Sequence, residues 1–127
     1  MNDLRINHDE FKAMADNPDG GPFIMLNLLK FQGKEGLASY EIYAREATRI
    51  LGEIGARAVY LGRAEELLQG DEPWDAVLLV QYPSRKAFLE MIARPDYQAA
   101  HARREDALER AVLYATSPVD ALGKIMP

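Results

Sequence analysis

The order and patterning of the chain predict a single α+β domain in which a four-stranded sheet carries its helices on one face. Three observations point there. Apolar strand-like segments and amphipathic helices follow one another as β-α-β-β-α-β behind a short N-terminal helix. The length, 127 residues, suits one core and would leave two halves each too small to bury one. The strand segments are apolar on both alternating faces, as strands covered on two sides are. Two βαβ halves in tandem form the split arrangement of a ferredoxin-like fold.

The first element is a short helix. Asn7 stands at its cap with Glu10 three residues on, a capping-box spacing, and Ile6 and Phe11 occupy the positions of a hydrophobic staple. Asn17-Pro18-Asp19-Gly20-Gly21-Pro22 breaks helices, so the helix should stop near Asp16. Residues 1–21 therefore read as an arm on a core of 22–117, with 118–127 as a tail. Phe23 to Phe31 is the first strand, and Asn27 interrupts the face shared by Phe23, Met25, Leu29 and Phe31. Gly33 and Gly36 then mark a loop.

The strongest helical signal runs from Ser39 to Ile54. Tyr40, Tyr43, Ala44, Ala47, Ile50, Leu51 and Ile54 share one stripe, with Ser39 as N-cap and Gly55 free to close the last turn in the left-handed region. Ala58 to Arg63 reads as a strand continuing with distortion toward Leu68, and Gly62 suits a bulge. Gln69 to Pro73 is an acidic loop. Trp74 opens the next strand, Asp75 to Tyr82, which Pro83 ends. Ser84 caps a helix facing inward with Phe88, Met91 and Ile92. Pro95 interrupts that helix and suits the first turn of another, Asp96 to Arg110. Val112 to Thr116 is the last strand, and Leu122, Ile125 and Met126 give the tail an apolar surface to dock.

Helices of this topology cover one sheet face only. A bare apolar face of that size is foreign to a soluble monomer, so two subunits packing sheet to sheet, as a symmetric homodimer, are expected.

Composition narrows the partners. Fifteen basic against 20 acidic residues leave a net charge of −5, which lacks the footprint for nucleic acid. No cysteine is present, which excludes disulfides, thiolate catalysis and Cys-based metal sites. Two histidines, His8 and His101, are too few for a multi-histidine zinc site, so no metal is expected. Neither a dinucleotide-binding glycine pattern, a P-loop nor a serine elbow occurs. The acidic start and the lack of a long apolar run predict a cytoplasmic protein with no membrane partner.

Asn27-Leu28-Leu29-Lys30-Phe31, the Tyr40/Tyr43 pair, Trp74-Asp75-Ala76-Val77, Tyr82-Pro83-Ser84, and Pro95-Asp96-Tyr97-Gln98 with His101 and Arg104 recur in this order in a known group. Together they resemble an uncharacterised bacterial domain-of-unknown-function family of the dimeric α+β barrel superfamily, over about residues 20 to 117. That superfamily includes cofactor-free antibiotic-biosynthesis monooxygenases, muconolactone isomerase-like enzymes, haem-binding members and stress-response barrels. The resemblance implies a dimeric α+β barrel and a pocket. It lends no catalytic residues.

Three sets of residues carry the candidate chemistry. Asn27 is either an amide donor aimed at a substrate carbonyl or enolate oxygen, or an amide satisfied by neighbouring backbone. His101 and Arg104 share a helix stripe with Tyr97. On one reading His101 is a general base, kept neutral by Arg104, which also anchors an anionic group. Glu105, four residues from His101, opposes that neutrality. On the other reading His101 is a half-wet helix-edge residue and Arg104 pairs with Glu105 or another carboxylate. Tyr40, Tyr43, Trp74 and Tyr97 either line a cleft between the helices and the sheet or serve as core; Tyr43 and Trp74 are the better pocket walls.

The leading expectation is a homodimer binding a compact, largely apolar, carbonyl- or phenol-bearing metabolite. Cofactor-free proton transfer or oxygenation suits the set: His101 as base, Asn27 and Tyr43 as oxyanion donors, Arg104 as anchor, with Trp74, Tyr97 and Tyr40 as binding walls. The rival is a non-catalytic ligand-binding or assembly protein. An enzyme needs Asn27, Tyr43 and His101 around one void with an opening; a cleft filled by Trp74 and the tail favours the rival.

Overall fold

The structure is a computed structural model that describes residues 3–126. In chain order the elements are α1 (His8–Asp16), β1 (Phe23–Phe31), α2 (Gly33–Glu53), β2 (Arg57–Arg63), β3 (Ala76–Tyr82), α3 (Arg85–Ile92), α4 (Pro95–Ala107) and β4 (Leu108–Thr116), then a 3-10 turn at Leu122–Lys124. The four strands form one sheet in the order β2-β3-β1-β4, and each adjacent pair is antiparallel. This is the ferredoxin-like α+β arrangement the element order predicts.

Register assigns the two faces of the sheet. Met25 pairs with Val80 and Ala115, and Asn27 with Leu78 and Leu113, on the face toward the helices. Phe23, Met25, Asn27 and Leu29 are buried there, since side chains two apart on a strand share a face. Ile24, Leu26 and Leu28 fall on the opposite face, Leu26 opposite Leu79 and Tyr114, and Leu28 opposite Val77 and Val112. The core is the helix side, where Phe23, Met25, Leu29, Ile50, Met91 and Leu108 are sealed from solvent. Phe23 stacks on Tyr82 at 5.4 Å, and Phe88 meets both rings edge-on.

Several local signals act as read from the sequence. The Ser84 hydroxyl accepts the Ala87 N–H at 3.0 Å, Pro95 opens α4, and Gly55 closes α2 at φ 78°. Others fail for identifiable reasons. α2 begins at Gly33, six residues before Ser39, so the expected glycine loop is helix. Gly33, at φ 62°, turns the chain straight out of β1. A Cβ on Gly36 would stand 2.5 Å from the Ala107 carbonyl, so only glycine lets the start of α2 reach the end of α4. The bulge in β2 falls between Ala58 and Tyr60 rather than at Gly62, whose missing side chain makes room for the Tyr60 ring. β2 stops at Arg63, and Leu67 and Leu68 beyond it are exposed.

α4 ends at Ala107, three residues short of Arg110, because Leu108 turns extended and starts β4 at once. At the N-terminus the backbone carbonyl of Asn7, not its side chain, accepts the N–H groups of Glu10 and Phe11. Phe11 packs on Phe88 instead of stapling to Ile6, which stays exposed. Leu122, Ile125 and Met126 of the tail are exposed and do not dock on their own subunit. No described helix is long and apolar enough to cross a membrane.

Candidate functional site

Between the helices and the inner face of the sheet lies an open cleft of about 2180 Å³. Asn27 reaches it from β1, Tyr40 and Tyr43 from α2, and Tyr97, His101 and Arg104 from α4. Six of the seven residues singled out from the sequence therefore meet at one site. α2 and α4 pack side by side, which brings one-turn-spaced residues of each helix into a single wall.

The tyrosines form a connected cluster. The Tyr43 and Tyr97 hydroxyls are 3.0 Å apart, and the Tyr40 and Tyr43 rings are 5.2 Å apart. One hydroxyl of the Tyr43/Tyr97 pair spends its proton on the other, which leaves one proton free to donate elsewhere. Burial, reinforced by neighbouring tyrosines, pushes the Tyr43 hydroxyl far above its ordinary value of 10.0. Burial likewise raises Tyr40 and Tyr82, with Arg104 opposing in each case. These phenols are neutral donors.

Asn27 sits mid-strand, buried. Its amide nitrogen donates to the Leu78 carbonyl at 3.3 Å and to the Met25 carbonyl at 3.4 Å. Both amide hydrogens thus point at backbone, and the side-chain oxygen takes no hydrogen bond among the described residues. The oxyanion-donor role is corrected by this geometry: Asn27 offers an acceptor. His101 Nε2 lies 2.7 Å from Glu105 Oε1, while its Nδ1 is buried without a partner. The His101 ring tilts against Tyr97 at 5.9 Å. Nε2 donates to Glu105, and Nδ1 is the ring nitrogen left without a partner among the described residues. Glu105 pairs with His101 rather than with Arg104, and the i,i+4 spacing is the signal for this pairing.

Arg104 is 8% exposed and, among the described residues, forms no ion pair. The Tyr40 hydroxyl is its neighbour, and the guanidinium partly offsets the rise that burial causes there. The carboxylate partner of the alternative reading is absent among the described residues. Trp74 is the residue that fails to join the cleft. The Arg110 guanidinium stacks over its ring at 4.5 Å and also binds Glu72 at 2.8 Å and the Pro73 carbonyl. Trp74 is therefore part of a strap that fastens the β2–β3 loop, and a cation already occupies its flat face. Tyr82, from β3, lines the cleft and was read only as a strand end.

Fold and site together define a ferredoxin-like α+β protein with a helix–sheet cleft. The chain belongs to the family described as domain of unknown function DUF1330, whose profile matches residues 30–117. Its structure is similar to that of the RPA0582 protein of unknown function from Rhodopseudomonas palustris, with a TM-score of 0.86 and 30% identity over 95% of this chain and 100% of that one. It is also similar in fold to SnoaB, a cofactor-independent oxygenase from Streptomyces nogalater, with a TM-score of 0.58 and 13% identity over 82% of this chain and 99% of that one. A dabb family protein with a ferredoxin-like fold from Mesorhizobium loti has a TM-score of 0.55 and 12% identity over 79% and 99% of the two chains. No curated protein matches the chain.

Proposed function

We propose that the chain forms a cytoplasmic homodimer in which each 22–117 core binds a compact, largely apolar metabolite bearing a carbonyl or phenol oxygen. The observation that carries this reading is the convergence of Asn27, Tyr40, Tyr43, Tyr97, His101 and Arg104 on one open cleft free of Trp74 and the tail. Ring faces supply apolar walls, and the Asn27 oxygen and the free proton of the tyrosine pair supply the polar contacts.

The same set supports cofactor-free proton transfer. His101 would take a proton from carbon next to a carbonyl, and the tyrosine pair would donate to the enolate oxygen. Glu105 orients the imidazole and balances the imidazolium that forms. Oxygenation would add dioxygen to the resulting carbanion. Native mass spectrometry of the purified protein should show a small molecule retained in the cleft. Once that molecule is identified, His101→Ala should abolish its turnover while leaving its binding, and unchanged turnover removes the catalytic role. The backbone-tied amide of Asn27 favours a second reading, binding without turnover, in which the ligand survives prolonged incubation unaltered.

A further inference from the structure

We infer that the ligand of this cleft is a monocarboxylate, its charged end seated on Arg104 and its apolar body against the tyrosine wall. The inference rests on the cleft being a ligand site and adds the ligand's charge. Arg104 is 8% exposed, and no carboxylate of the described residues lies within 4.0 Å of it. None of its nitrogens is among the fully buried unpartnered atoms, so they face the cleft, where a largely buried guanidinium without a counter-charge favours an incoming anion. The groups around it do not neutralise it. Burial keeps the Tyr40, Tyr43 and Tyr82 hydroxyls in their uncharged form. The adjacent carboxylate of Glu105 is turned to His101.

The other buried arginine shows the contrast. Arg85 has the Ser117 hydroxyl at 2.8 Å, the Asp19 carboxylate at 3.8 Å and the Phe23 ring at 5.1 Å. It has a carboxylate within ion-pair reach, although its Nη1 makes no hydrogen bond among the described residues. Arg104 lines the cleft with no such carboxylate among the described residues. A guanidinium's planar donors match a carboxylate edge, and a single buried cation suits a single negative charge rather than a phosphate dianion. The chain's net charge of −5 further disfavours multiply charged anions.

The test uses the intact protein with benzoate as probe and benzamide as its neutral isostere, read by calorimetry and by melting temperature. Wild type should bind benzoate more tightly than benzamide by about tenfold or more. Arg104→Met should erase that preference while keeping benzamide binding, and should melt at or above the temperature of the ligand-free wild type. Arg104→Lys, which keeps the charge but loses the planar fork, should retain a reduced preference for benzoate. Equal binding of the two probes to wild type, or a preference that survives Arg104→Met, overturns the inference and leaves the cleft reading standing. Binding of neither probe overturns both.

Discussion

Tyr43 concentrates the energetics of the site in one side chain. Its ring is packed between Tyr40 and Tyr97, and its hydroxyl bonds to Tyr97 at 3.0 Å. Burial holds the phenol neutral above its ordinary value of 10.0, so the folded state keeps protons that the unfolded chain would lose. The sign follows: stability from Tyr40, Tyr43 and Tyr82 is fully present below about pH 10 and is lost as pH rises past it. Tyr43→Phe should cost about 1 kcal/mol at neutral pH, through the lost Tyr97 bond, and soften the alkaline decline. Urea unfolding midpoints at neutral and alkaline pH check both parts, and an equally steep alkaline decline in the variant counts against them. At this scale the sequence was informative about which residues meet and poor on where their polar atoms point. The α4 stripe places Tyr97, His101 and Arg104 together, and the α2 stripe Tyr40 beside Tyr43, because helical spacing is rigid. The direction of the Asn27 amide depends on the Leu78 carbonyl, 51 residues away, which no local pattern encodes.

Gly36 decides how α2 and α4 meet. It touches the Ala107 carbonyl where α4 hands over to β4, and Gln32 N–H donates to that same carbonyl at 2.9 Å. Gly36→Ala should therefore destabilise the fold by about 1–3 kcal/mol despite alanine's better helix propensity. Chemical denaturation measures this, and a variant as stable as wild type would show that the helices separate at no cost. Farther along, Arg49 of α2 binds Glu46, Glu53 and Asp96, and Arg94 ties Glu53 to Asp96 across the α3–α4 joint. The Arg94 hydrogen bond holds the Asp96 carboxyl down at about 2. Element type and order were readable from periodicity because each helix buries one stripe. Boundaries were not. The start of α2 and the end of α4 are set by one tertiary contact, and the glycines that allow it read locally as a loop.

The whole molecule leaves one sheet face uncovered. Tyr114 is 65% exposed, and Leu26, Leu28, Val77, Leu79 and Val112 share its face half-buried. β2 is open on both sides, with Tyr60 at 55% and Leu61 at 71% exposure. If two subunits seal this face, Leu26→Glu, which sets a charge opposite Leu79 and Tyr114, should convert a particle of twice the chain mass to one of a single chain. Size-exclusion chromatography with light scattering decides it, and a wild type running as one chain would remove the dimer. The two-faced apolar strands were legible from the sequence, since alternation fails visibly in Phe23 to Phe31.

The arm has a consequence for the sheet's borders. Asp3 lies parallel to β4, its N–H donating to the Glu109 carbonyl at 2.7 Å and its carbonyl accepting from Ala111. One rim is thereby occupied for part of its length by the chain's own beginning. The other rim is warped by the β2 bulge and flanked by Arg57 and Arg63. Stray strands find neither margin flat and vacant, so lateral polymerisation into ribbons is blocked even though so much greasy pleated surface is on offer.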